Sequence, residues 1–260
     1  MSEGHEYDGC ALSFGGGVNS TSLAILLVNE GWRGAIVFAD TGCEIPETYS
    51  YMAMFERDWL APRGLSITRL GAEWRGKSKG LTLLEFCEQK RIVPSVFQRW
   101  CTTEWKRRPL DRWQEAHGII RPLVGIAADE SHRARADMDC PLCDRLITRD
   151  QCKAIIAAEG LPVPPKSGCV MCFFQGLDQW RRLWERHPDI FERLCRLDDA
   201  MTARMGVEGR TKREYTLLKD RRGNSVHLRT LAAGFAAQDT LPGLADTCGL
   251  EYLRCWACMT

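Results

Sequence analysis

Histidine is scarce in this 260-residue sequence. His5, His117, His132, His187 and His227 are scattered, with no two at metal-ligand spacing, so none is given a role beyond His132, which lies inside a motif discussed below. Charge of either sign in excess is also lacking. Lys and Arg total 35 against 34 Asp and Glu, a formal charge of +1, which removes any compositional case for a nucleic-acid partner without excluding a local patch. Long apolar runs are missing: none approaches the roughly 18 residues of a membrane span. The opening "MSEGHEYDGCALSF" has no apolar h-region, so no signal peptide is expected, and the expected location is cytoplasmic, without membrane attachment. Neither G-x-x-x-x-G-K-[ST] nor G-x-G-x-x-G occurs where glycine is densest, which excludes a Walker loop and a dinucleotide fingerprint there. No internal repeat, low-complexity segment or long linker divides the chain.

What the sequence does have is glycine in one place and cysteine in many. "ALSFGGGVNSTSLAIL" sets Gly15, Gly16 and Gly17 between two apolar runs. Such a loop between a strand and a helix makes an anion site by geometry and helix dipole, because unpaired N–H groups face outward at the helix start. The plain alternative is a tight turn. Thirteen cysteines in a chain without an export signal point to metal or redox chemistry rather than to a disulfide framework. Three pairs have metal-ligand spacing: Cys140-x-x-Cys143, Cys169-x-x-Cys172 and Cys255-x-x-Cys258. Zinc is therefore a candidate from the outset.

The apolar pattern predicts strands at 9–14, 34–40, 65–71 and 121–131. It predicts helices at 20–30 with Asn19 or Ser20 as cap, at 46–64 opened by Pro46, and at 148–160 opened by Thr148. Alternating strands and helices, with the strands apolar throughout, argue for an α/β fold: a parallel sheet with helices on both faces. After the proline-rich loop 161–172, the chain reads as helical and basic from about 175, with a hairpin at 214–231 around Arg222-Gly223-Asn224. The expected organisation is a nucleotide-binding domain at 1–175 and a smaller, mainly helical region with a cysteine-rich tail at 176–260. Trp100, Trp105 and Trp113 interleave with Arg99, Lys106, Arg107, Arg108 and Arg112; this pattern suits either base stacking or an amphipathic helix packing its aromatic face.

Five motifs in order then carry a resemblance over roughly residues 10–175. "SFGGGVNSTSL" resembles the pyrophosphatase loop S-G-G-x-D-S of N-type ATP pyrophosphatases, and its "SFG" opening is similar to the phosphoadenosine phosphosulfate (PAPS) reductase branch. "FADTGCEIPETY", "CTTEWKRRPL", "GIAADESHR" and "KSGCVMC" resemble that branch's later motifs. The chain is thus identified as PAPS reductase-like, with an adenine nucleotide alpha hydrolase-like (HUP) fold implied. It departs from the pattern at Asn19, where many pyrophosphatases have aspartate, at Thr102, where cluster-bearing reductases have a second cysteine, and at Ala127, where arginine is common.

The resemblance implies ATP, or PAPS, held by Ser13, Phe14, Gly15, Gly16, Gly17, Asn19, Ser20, Thr21, Asp40, Thr41, Gly42 and Gly125. Asp40 would contact the adenosine or hold the phosphates through Mg²⁺. Lys106, Arg107, Arg108 and Arg133 would neutralise phosphate charge. Cys101, Cys169 and Cys172 match ligands of a [4Fe–4S] cluster, with Cys140, Cys143, Cys255 or Cys258 as further candidates and Zn²⁺ or no metal as alternatives. Cys140 and Cys143 also suit a sulfur-relay pair or core packing. Cys248, in "DTCGLEYLRCWAC", faintly resembles the reductase nucleophile. Cys43 is expected in the core, like Cys10, Cys87, Cys152 and Cys195. The function implied is ATP-dependent sulfur transfer to a nucleic acid, by DNA phosphorothioation or base thiolation, with a cysteine desulfurase as sulfur donor. The alternatives are a PAPS/APS reductase making sulfite and a non-enzymatic zinc or nucleotide-binding module. A homodimer is among the expected assemblies.

Overall fold

In the computed structural model the described residues are 6–71, 80–95, 98–119, 121–208, 216–219 and 225–237. In chain order the elements are β1 (Ala11–Ser13), α1 (Val18–Asn29), β2 (Ile36–Ala39), α2 (Pro46–Phe55), β3 (Ile67–Leu70), α3 (Leu83–Lys90), α4 (Trp100–Thr102), α5 (Arg108–Ala116), β4 (Pro122–Val124), α6 (Pro141–Asp144), α7 (Arg149–Ala158), α8 (Leu177–Arg186), α9 (Pro188–Glu208), β5 (Leu218–Lys219), β6 (Ser225–Val226) and α10 (Leu228–Ala236). They fall into two compact units, Met1–Gly80 with Thr102–Cys169, and Leu81–Cys101 with Val170–Thr260.

The first unit is the expected α/β fold, a parallel sheet surrounded by helices. Its four strands run in the order β3-β2-β1-β4, all parallel, with Leu12 opposite both Ile36 and Leu123. β2 is buried along its whole length, which is why "IVFA" carries no polar residue. One apolar core joins strand residues Leu12, Ile36, Phe38 and Leu123 to Leu23, Leu27, Phe55, Leu60 and Ile156 from the helical segments. Aromatic rings line one side of it: Phe14, Phe55 and Trp59 stack in succession at centroid distances of 5.9 and 5.3 Å. Glu159 ties three segments together, accepting from Asn29 Nδ2 and Trp59 Nε1 at 2.8 Å each. Those two bonds hold its carboxyl below the usual carboxylate range.

Several boundaries differ from expectation for identifiable reasons. α1 starts at Val18 with Gly17 as its N-cap, not at Ser20, because the Asn19 and Ser20 side chains are engaged elsewhere. The helix expected over 46–64 becomes α2, a π-helical turn at Glu56–Leu60 and a 3-10 turn at Ala61–Arg63. The strand expected over 121–131 is only Pro122–Val124; the chain leaves the sheet at Gly125 and forms a 3-10 turn at Ala128–Arg133. α7, in contrast, opens with the expected Thr148, whose side chain accepts from Gln151 N in a capping box.

The second unit is mainly helical. Pro188, at the first position of α9, separates it from α8. β5 and β6 pair antiparallel, Leu218 opposite Val226, as the hairpin reading expects, but 228–236 is helix α10 rather than strand. Asp198 is buried and its carboxylate accepts from the backbone N–H groups of Leu217 and Leu228, at 2.9 and 3.1 Å, fixing α9 to the segments around it. Arg193 grips Glu88 with two bonds of 2.6 and 2.7 Å, joining α9 to α3.

Candidate functional site

Strand order locates the site. The chain runs from β1 outward to β2 and β3, then crosses back to set β4 on the other side of β1. Open α/β sheets leave a crevice where that direction reverses, at the carboxyl ends of the strands. β1 ends there in Phe14 and the three glycines, and β4 ends there in Gly125.

The glycines are not equivalent. Gly16 has φ +66°, and a Cβ on it would lie 2.8 Å from Met52 Sδ and 3.0 Å from Thr48 Cγ2. A Cβ on Gly17 would lie 2.7 Å from Ser167 Oγ. On Gly125 it would meet backbone, with Ser20 N and Cα at 2.8 Å. These three residues let segments close on one another. Gly15 is different: its nearest neighbour to a Cβ would be Ser20 Oγ at 3.9 Å, so it faces open space.

Behind Gly15 lies the start of α1. No side chain caps it, no acid occupies its first turn, and its first intrahelical bond runs from Thr21 N to Gly17 O at 3.0 Å. The N–H groups of the helix's first turn, Val18 to Ser20, precede that bond and lie at the positive end of the helix dipole, where an outside acceptor could take them. Ser20 Oγ shapes the loop, accepting from Gly15 N and donating to Gly17 O at 3.2 Å each. Beside Gly16, Thr48 is 1% exposed and its Oγ1 has no hydrogen-bond partner among the described residues.

Asn19 is buried and uses both ends of its amide. Its Nδ2 donates to Glu130 Oε2 at 3.1 Å, and its Oδ1 accepts from Arg149 Nη1 at 3.2 Å. Glu130 Oε2 also accepts from Arg133 at 2.8 Å. A carboxylate at 19 could accept from Arg149 but would have no proton for Glu130. This explains, in this chain, why asparagine stands where the resemblance expects aspartate.

On the other side, Asp40 closes a turn: its Oδ1 accepts from Gly42 N at 2.8 Å and from Tyr49 Oη at 2.6 Å. Burial, then the bond to Asp40, pushes the Tyr49 hydroxyl far above its usual range, so it stays a donor at any ordinary pH. Lys106 Nζ donates to Glu44 Oε1 at 2.9 Å, and Thr41 Oγ1 donates to the same oxygen at 3.1 Å. Glu44 is buried while Lys106 stays half exposed. Arg108 pairs with Glu104, and Arg107 approaches Asp137 at 4.0 Å. Trp105 is fully buried, so of the aromatic residues in that segment it offers no face for stacking.

The cysteines divide. Cys87, Cys152 and Cys195 are buried, as expected, whereas Cys10 is only partly so. Burial raises the thiol of Cys140 to about 11, and Cys143 Sγ donates to Ile126 O at 3.2 Å. Cys43 is buried, with its Sγ 3.0 Å from Cys169 Sγ. Cys101 and Cys172 belong to the second unit and Cys169 to the first. Among the described residues no three Cys, His, Asp or Glu side chains gather as one metal would need. Cys248, Cys255 and Cys258 lie outside the described residues.

No protein-family model matches the chain, nor does any curated protein. Among solved structures, phosphoadenylyl-sulfate (PAPS) reductase from Candida auris, in complex with phosphate, matches at 17% sequence identity and a TM-score of 0.42. The match covers 59% of this chain and 74% of that one. This chain is similar to a PAPS reductase. At that level of likeness no residue inherits a role. No helix among the described residues is long and apolar enough to cross a membrane.

Reasoning from sequence missed Arg149, Thr48 and the placement of Cys43. Arg149 follows a legible helix cap, but its approach to Asn19 across 130 residues has no local signal. Thr48 and Tyr49 both fall within "IPETY", so that motif pointed to their neighbourhood without their partners.

Proposed function

We propose that this protein binds an adenine nucleotide at the glycine loop and uses it in ATP-dependent sulfur transfer to a nucleic-acid acceptor. The observation that carries the nucleotide part is Gly15, open to space in front of an uncapped helix start at the switch point of the sheet. The N–H groups of the loop would hold phosphate oxygens. Lys106, released from Glu44, and Arg133, released from Glu130, would meet negative charge as it builds. Asp40 has its Oδ1 engaged and is the residue we assign to Mg²⁺ or the ribose; the metal would draw charge from the phosphates. In the reaction an acceptor oxygen attacks the α-phosphorus, the α–β bridging P–O bond breaks and pyrophosphate leaves. A sulfur nucleophile then displaces AMP from the adenylated acceptor.

The sulfur half rests on the motif resemblance. Cys169 in the first unit, and Cys101 with Cys172 in the second, are the thiols the motifs supply for it as sulfur carriers, with a desulfurase-type donor upstream. The reductase reading is favoured by the "SFG" opening, but Ala127 is fully buried, so the position where arginine is common supplies no cation to a sulfonucleotide. Pyrophosphate release from ATP, with and without DNA or RNA, set beside sulfite release from PAPS, tests the assignment on anaerobically purified protein. Acceptor-dependent pyrophosphate supports sulfur transfer; sulfite without pyrophosphate replaces it with the reductase; failure to bind either nucleotide removes both.

A further inference from the structure

The turn after β2 and the segment leading to the Cys-x-x-Cys motif are paired. Glu44 lies opposite Cys169 in an isolated antiparallel bridge, and Ile45 N donates to Gly168 O at 2.7 Å. The bridge brings Cys43 Sγ to 3.0 Å from Cys169 Sγ, closer than thiolates sharing one zinc, which at Zn–S of about 2.3 Å stand well over 3 Å apart. Cys43 is buried and Cys169 is half-buried, so one thiol is shielded and the other accessible. Thr41 Oγ1, 3.5 Å from Cys43 Sγ, gives the shielded sulfur a polar neighbour.

We infer that Cys43 and Cys169 form a redox-active dithiol that closes reversibly to a disulfide. The inference is independent of the proposed nucleotide chemistry. The co-reactant is a low-molecular-weight disulfide. Cys169, as thiolate, attacks one of its sulfurs and expels a thiol; Cys43 then attacks Sγ of Cys169 in the mixed disulfide and expels the second. Two cysteine protons end on the two released thiols, the pair is oxidised by two electrons and the small disulfide is reduced by two. The closed form ties Gly42–Ile45 to Ser167–Cys169, and Ser167 is the residue against Gly17. While closed, Cys169 is unavailable as a ligand or sulfur carrier.

The test equilibrates folded, anaerobically purified full-length protein with a series of oxidised and reduced glutathione ratios. Free thiols are then trapped by alkylation and the remaining disulfides mapped by peptide mass spectrometry. The expected result is a Cys43–Cys169 cross-link whose population follows the glutathione ratio. It should be lost in Cys43→Ser and Cys169→Ser but kept in Cys172→Ser and Cys140→Ser. A Cys169–Cys172 cross-link in its place, or Cys43 remaining reduced at every ratio, overturns the inference. The wild-type map decides the matter even where a variant fails to fold.

Discussion

Replacing Gly15 with alanine separates binding from folding at the loop. A methyl there would touch nothing closer than Ser20 Oγ at 3.9 Å, and Gly15 is not among the residues with positive φ. The substitution also removes glycine's freedom in the unfolded chain, which stabilises by about 0.4–1 kcal/mol. The same methyl would stand in the space assigned to phosphate. Losing one charge-assisted hydrogen bond there costs about 1.5–3 kcal/mol, a loss of about 10- to 150-fold in affinity. Gly16→Ala should behave oppositely. Its φ of +66° costs an L-residue about 1–2 kcal/mol, before Met52 Sδ, 2.8 Å from the new carbon, is made to move. Urea unfolding without nucleotide and calorimetric titration with ATP measure the two effects. A Gly15→Ala protein that keeps wild-type stability and wild-type ATP affinity would refute the assignment of the loop.

Other substitutions test the surrounding contacts. Asn19→Asp sets a carboxylate against Glu130 Oε2, where Nδ2 now donates at 3.1 Å, at a cost of about 1–3 kcal/mol at neutral pH. One of the two acids would then keep a proton to higher pH in the folded state than in the unfolded chain, so the cost should shrink as pH falls toward about 4 and be gone below it in unfolding titrations, and a pH-independent cost would contradict this account. Glu159→Gln puts an amide where a carboxylate accepts two donors, a loss of about 1–2 kcal/mol. Because the folded pKa of Glu159 is depressed, wild type holds this advantage above the unfolded value of about 4.3 and loses it as pH falls further, so the two stability curves should converge as the solution is acidified below that value. Lys106→Ala strands the buried Glu44, which should lower stability by about 1–3 kcal/mol. Lys106→Met tests charge with the stem retained; equal stability of both variants to wild type would show the pair to be idle.

The sheet and its helices were legible because apolar strands alternate with helix patterns, and Thr148 and Pro46 announce helix starts through local chemistry. The glycine loop was legible as an anion site for the same reason: strand, glycines and helix are consecutive. What could not be read were contacts between distant segments. Nothing near Val124 says that Gly125 must pass under the backbone of Ser20, so the strand was expected to run to 131. Nothing near Asn19 names Glu130 and Arg149, so its amide looked like a departure rather than a fitted piece. Cys43 illustrates the same limit. Cys43, directly after the Asp40-Thr41-Gly42 turn, is buried as expected, but the sulfur it meets lies 126 residues away.

Those separations bear on how the protein comes into being. The glycine loop leaves the ribosome well before its partners: Asn19 waits for Glu130 and Arg149, 111 and 130 residues later. The loop of Gly17 likewise has its neighbour at Ser167. Contacts of such range are slow to form, because loop closure precedes any reward. A fragment ending before α7 would carry the signature motif without Arg149 and Ser167, two of the neighbours that fix its shape. The earliest motif to be synthesised is among the last to become a site.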